Sequence, residues 1–139
     1  MSKAPLAQIA VRPRIVVTAG EHAQLTQLAE RAAERDSPIG EYLTEELSRA
    51  SIVADDACLP NIVRMGSTVT YREDASGRVR TVTLVYPKDA DIDHQRISIL
   101  TPIGAALIGL SPAQTIEWPS PHGGMETLTV LDVTSPAEA

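Results

Sequence analysis

The sequence predicts an α+β protein in which an antiparallel helical hairpin precedes an antiparallel sheet of about five strands with one short helix against it. Two observations carry this. Apolar residues recur at helical spacing between Thr18 and Ala50. Beyond Thr68 the chain turns to runs rich in Val, Thr and Tyr, separated by turn residues.

The elements follow in order. Met1 to Pro13 has no periodicity and reads as a flexible tail, and residues 14–54 carry the hairpin. Arg14 to Val17 is a short extended run. Thr18 and Glu21 have capping-box spacing, so a helix opens there, with Leu25, Leu28, Ala29 and Ala32 on one stripe and an end near Arg35. Ser37 caps a second helix with Pro38 at its first position, where a missing N–H costs nothing. Its stripe is Ile39, Leu43, Leu47 and Ala50. Two stripes joined by so short a connection fold back on each other. Residues 55–65, with Pro60 and two adjacent acids, read as a linker. Residues 66–134 form the sheet domain, and 135–139 a second tail. Its predicted strands are Thr68 to Arg72, Arg78 to Tyr86, Arg96 to Leu100, Thr115 to Trp118 and Thr127 to Val133. Asp74-Ala75-Ser76-Gly77 supplies turn chemistry between the first two, and Pro102 to Ile108 is a short helix closed at Gly109.

Composition narrows the function. The chain has 139 residues, the size of one domain with a small appendage. With no Phe, one Trp and three Tyr, its core is aliphatic, and aromatic base-stacking platforms are not expected. Net charge is −6; up to Ile52 there are six basic and seven acidic residues, and beyond it six and eleven. Neither part is basic, so neutralising phosphates cannot drive direct nucleic-acid binding. The single cysteine, Cys58, cannot form an internal disulfide and reads as a small hydrophobe in a reducing, cytoplasmic setting. Ile97 to Ile116 carries no charge, but Pro102, Pro112, Gly104 and Gly109 prevent a continuous apolar helix, so no membrane span is expected.

Chemistry-bearing residues are sparse. Asp89, Asp91 and Asp93 have the spacing of the first calcium-loop ligands, but His94 stands at the turn glycine and Leu100 at the bidentate acid. A solvated acidic loop is expected instead. His22, His94 and His122 share no ligand spacing and neighbour no nucleophile. Gly123-Gly124 is a strand-connecting loop, since no Lys-Ser/Thr follows. Glu34 and Asp36 sit at the hairpin tip, with Glu41 one turn on. Carboxylates there could hold Mg²⁺ against a partner's active site, but the expected role is helix-end solvation. No catalytic, cofactor or metal site is expected.

The distinctive stretch runs from Ile97 to Leu110. A strand enters a helix through Thr101-Pro102, and small residues let that helix lie close to the sheet. Most of it is packing. The corner of Leu100, Thr101, Pro102 and Ile103 is the candidate partner-binding surface.

This stretch, with Gly66-Ser67-Thr68-Val69-Thr70 and Pro87-Lys88-Asp89-Ala90-Asp91, resembles the C-terminal domain of the Gre transcript-cleavage factors. The resemblance implies an FKBP-like fold and a protein that docks on RNA polymerase at the mouth of the secondary channel through the corner that here is Leu100, Thr101 and Pro102. There are departures: Leu100 replaces an acid, Ala113-Gln114 replaces Gly-Asp, and the hairpin is far shorter than a Gre coiled coil. With Arg12-Pro13-Arg14-Ile15 and Leu84-Val85-Tyr86-Pro87, the chain is similar to the Rnk branch, regulators of nucleoside diphosphate kinase. That similarity adds the kinase as a second expected partner, reached through gene expression or by direct binding. Helices of about 15 residues project only about 22 Å, so competition for the channel without stimulated cleavage is expected. A prolyl isomerase, the enzyme that an FKBP-like fold suggests, is disfavoured because so few aromatic residues are available to line its pocket.

Overall fold

The computed structural model describes residues 15–57, 61–119 and 124–134. The expected tails, Cys58, Pro60, His122 and Gly123 lie outside the described residues. In order, the elements are β1 (Val16–Thr18), α1 (Ala19–Glu34), α2 (Pro38–Ser48), β2 (Ser51–Val53), β3 (Thr68–Glu73), β4 (Arg78–Val85), β5 (Arg96–Ser98), α3 (Pro102–Leu107), β6 (Thr115–Pro119) and β7 (Met125–Thr134). Two 3₁₀ turns, Pro87–Asp89 and Ile92–His94, lie between β4 and β5.

Both hairpin helices begin where the capping residues place them. Thr18 accepts a hydrogen bond from the Glu21 amide, and Ser37 from that of Gly40. α1 ends in a Schellman arrangement: the Ser37 amide donates to the Ala32 carbonyl and the Asp36 amide to that of Ala33. Asp36 holds φ 61°, a conformation usually left to glycine. The helices differ in length, 16 residues in α1 and 11 in α2, so the second is shorter than the sequence suggests. Gly40 sets their approach, because a Cβ there would lie 2.5 Å from the Ala33 amide nitrogen and 2.7 Å from the Ala32 methyl.

The five-stranded sheet has the order β5-β4-β3-β7-β6. Its β3–β4, β3–β7 and β6–β7 pairs are antiparallel. The remaining pair corrects the expectation of an all-antiparallel sheet, since β4 and β5 run parallel with Leu84 opposite Ile97. The chain returns through the two 3₁₀ turns and Gln95, whose φ of 56° reverses its course, whereas alternation within a short strand carries no direction. The β3–β7 register shifts beside Thr70, where Leu131 is an extra residue on β7.

A second pairing lies outside the expected sheet. β1 and β2 form a two-stranded parallel sheet, Val17 opposite Ile52, across the open end of the hairpin. Ile15 seats on Gly109, which has φ 80° and whose missing Cβ leaves room for it. Residues at the end of the expected linker are built in as well. Val63 is fully buried, its amide donates to the Leu110 carbonyl, and its carbonyl accepts from the Gly109 amide.

One core joins all of this. Leu25, Ala29, Leu43 and Leu47 of the hairpin belong to the same buried cluster as Val69, Leu84, Leu107, Ile108, Leu128 and Val130. The other face of the sheet carries paired threonines: Thr68 with Thr83, Thr70 with Thr81 and Thr115 with Thr129, hydroxyls 2.9–3.1 Å apart. Replacing Gly40 by Ala is expected to lower stability by about 1–3 kcal/mol, because the helix backbones must move apart to admit the methyl. Urea denaturation checks this, and a loss below half a kcal/mol contradicts the packing described.

Candidate functional site

The candidate surface is the corner where β5 becomes α3, and backbone hydrogen bonding makes it rigid. The Ile99 amide donates to the Val85 carbonyl while its side chain is fully buried, which anchors the corner from below. The Leu100 amide donates to the Ser98 hydroxyl at 3.0 Å. Thr101 is the N-cap of α3. Its hydroxyl donates to the Ser98 carbonyl at 2.7 Å and accepts from the Gly104 amide at 3.1 Å. Pro102 occupies the first turn, where no N–H is needed. Gly104 has no space for a side chain, since a Cβ would collide with the Ser98 carbonyl oxygen.

Leu100, Thr101, Pro102 and Ile103 thus form one continuous half-buried ridge. Leu100 and Ile103 also rest on the core, so each divides its surface between packing and solvent. The corner has no charge of its own and can offer a partner shape and apolar contact. Thr101 is spent on capping and contributes through the geometry it imposes.

The hairpin is fixed to the body at its base. The Arg64 guanidinium pairs with the Glu21 carboxylate at 3.3 Å, the Tyr86 hydroxyl donates to the Gln24 side-chain oxygen at 2.8 Å, and the Gly20 amide donates to Asp55 at 2.7 Å. Burial, reinforced by the Glu21 carboxylate, raises the Tyr86 phenol above its ordinary value of 10.0. The neutral phenol is therefore favoured by folding, and its contribution to stability is present below pH 10 and lost as pH rises through the raised value.

The remaining candidates disperse. Glu34, Asp36 and Glu41 are exposed at or beside the tip. Glu34 and Glu41 line a groove of about 640 Å³ between the helices together with Glu30 and Glu45, and Asp36 stands outside it. The Asp91 carboxylate is engaged with His94 Nδ1 at 2.7 Å and the Asp93 amide at 3.1 Å, within the turn. His22 Nε2 meets the Leu47 carbonyl at 3.0 Å, a link between the two helices. Among the described residues no three His, Cys, Asp or Glu side chains are placed to hold a metal ion, and no helix is long and apolar enough to cross a membrane. Sequence reasoning missed one feature, a groove around Trp118 and Tyr71. Both lie on strands whose alternation signals core, and only the folded sheet shows where the covering helix stops.

Comparison with known proteins fits this architecture. Residues 59–135 match the family described as transcription elongation factor, GreA/GreB, C-term, and residues 13–53 match the Rnk N-terminus. The chain belongs to the Gre transcription elongation factor family, in the Rnk branch that joins such a C-terminal domain to a short N-terminal hairpin. It is 34% identical over 128 residues to the regulator of nucleoside diphosphate kinase of Escherichia coli (strain K12), covering 92% of this chain and 94% of that one. The transcription elongation factor GreA of Beijerinckia indica is 32% identical over 130 residues, 88% of this chain and 82% of that one. Among solved structures, a prokaryotic GreA/GreB elongation factor from Nitrosomonas europaea superposes with a TM-score of 0.70 at 38% identity. The match covers 89% of this chain and all of that one.

Thr101→Ala is expected to cost about 1–2 kcal/mol, because the Gly104 amide loses its cap. Thr101→Ser keeps the hydroxyl and should recover most of that. Thermal or urea unfolding of the pair checks it; equal losses would mean that the methyl, not the cap, matters.

Proposed function

We propose that this protein is a transcription regulator without enzymatic activity that binds RNA polymerase near the secondary channel through Leu100, Thr101, Pro102 and Ile103. It competes there with Gre-type elongation factors and does not stimulate transcript cleavage. The observation that carries this reading is the combination of a Gre-type C-terminal domain with a hairpin whose second helix has only 11 residues. At about 1.5 Å per residue that helix projects about 16 Å, too little to deliver Glu34 and Asp36 into a deep active site. Leu100, where the Gre pattern has an acid, makes the contact apolar. Its strength then rests on shape and on a rigid corner rather than on charge.

A consequence for nucleoside diphosphate kinase follows through expression, in line with the name of the Escherichia coli relative. That name also supports a second reading, direct binding to the kinase. Pull-downs with each purified partner separate the two.

Core polymerase is expected to retain the wild-type protein, and Leu100→Asp to weaken retention at least tenfold, about 1.4 kcal/mol. Pro102→Ala should weaken it less, because α3 remains capped. Circular dichroism of each variant establishes that it is folded. Absence of binding by the folded wild type defeats the polymerase reading and favours the kinase complex. Cleavage of stalled transcripts that disappears in Asp36→Ala would defeat the claim about reach.

A further inference from the structure

α1 sorts its charges between two grooves. Glu30 and Glu34 line the one that runs between the hairpin helices. Gln24, Gln27, Leu28 and Arg31, spaced as one face of a helix, line another of about 500 Å³. Its far wall is the 3₁₀ turn after β4, with Pro87 and Lys88. Tyr86 completes it where hairpin and sheet domain meet, its hydroxyl already given to Gln24.

This second groove holds positive charge that nothing inside the protein uses. The chain has a net charge of −6, yet no acid lines the groove. The Arg31 and Lys88 side chains have neither an ion pair nor a hydrogen bond among the described residues. Four positions either side of Arg31 stand Gln27 and Arg35, so α1 supplies no carboxylate at that favourable spacing. The two cations stand on opposite walls, one on the hairpin and one on the turn. Leu28 and Tyr86 are half-buried against the core and give the groove an apolar base.

The chemistry selects an anion and says what carries it. Phosphate sites are built from free backbone N–H groups, at helix N-termini or in nests. Here the Asp89 and Ala90 amides are spent on the Tyr86 and Pro87 carbonyls, and the groove meets α1 beyond its first turn. A carboxylate needs less: the planar fork of Arg31 and the point charge of Lys88. The Gln27 side chain, also without a partner among the described residues, can pair with a peptide backbone. Leu28 and Pro87 offer apolar contact beside it.

We propose that this groove is a docking site for an acidic segment of a partner protein, whose carboxylates meet Arg31 and Lys88 while an apolar residue between them covers Leu28 and Pro87. Its walls come from the hairpin and from the sheet domain, so the bound segment bridges the two. The proposal does not rest on the polymerase reading, whose test uses Leu100 and Pro102 on the corner.

The probe is the capped peptide acetyl-Glu-Leu-Glu-Leu-amide, titrated into ¹⁵N-labelled full-length protein. The Gln27 side-chain amide and the Lys88 backbone amide should shift along one saturating curve. Arg31 and Lys88 are exposed, so Arg31→Gln and Lys88→Gln leave the fold intact, which the unshifted remainder of the spectrum checks. Each should weaken binding at least threefold, and the double variant at least tenfold. The same peptide with glutamine in place of glutamate should bind at least tenfold more weakly. Equal affinity of the glutamine peptide overturns the proposal, as does unchanged affinity in the double variant. Signals that stay fixed to the solubility limit of the peptide overturn it as well. Tripolyphosphate and a short oligouridylate, titrated at the same ionic strength, test the carrier of the charge. Tighter binding of either at these residues than of the peptide overturns the choice of occupant.

Discussion

The arrangement depends on one clasp. β1 and β2, only three residues each, pair in parallel at the two ends of the helical hairpin. Ile15 and Val17 carry that clasp into the core, with Ile15 seated on the space Gly109 leaves free. The Val16 amide donates to the Gly109 carbonyl, and the Ser51 amide to that of Ile15. Two helices of this length are marginal alone in water. Held at the base by backbone hydrogen bonds and sharing a core with the sheet, they become a fixed projection. The ion pair of Arg64 with Glu21 and the hydrogen bond of Tyr86 to Gln24 then set its direction.

The sheet and its short helix obey a related constraint. α3 has six residues, too few to be stable except as part of a larger packing unit. It is made possible by small side chains. Gly104, Ala105 and Ala106 are all buried, and the helix sits so near the end of β5 that even a methyl at Gly104 would strike the Ser98 carbonyl. Because the helix is both short and close, the chain must turn sharply before it. That turn exposes the Leu100–Ile103 ridge, and the helix's end leaves the Trp118 side of the sheet open. Corner and groove are therefore two results of one packing solution.

Much of this was legible in the sequence, for identifiable reasons. Thr18 and Ser37 act as caps where their spacing places them, since capping is a contact within three residues. The turn between β3 and β4 follows from Asp74 to Gly77 for the same reason. The features that escaped are long-range. Nothing local to Ser51–Val53 reveals that it pairs with a strand 35 residues earlier. Nothing local to Arg96–Ser98 distinguishes parallel from antiparallel neighbours, a direction set by the turns before it. At the candidate site, the corner was legible from Thr101-Pro102 and from the family pattern. The groove was not, because Tyr71 and Trp118 are 47 positions apart and become neighbours only across the folded sheet.

The clasp also separates two properties that most proteins bind together. The hairpin leaves the body and returns to it at adjacent points, the first residues of β1 and β2 standing opposite each other. Whole helical turns could be added in matched pairs beyond Ala29 and Leu43 without moving either anchor or any residue of the sheet. Length of the finger is then a free variable, while the surface below stays constant. A single scaffold of this kind can yield a family of proteins that share one body and differ only in how far the finger stands out from it.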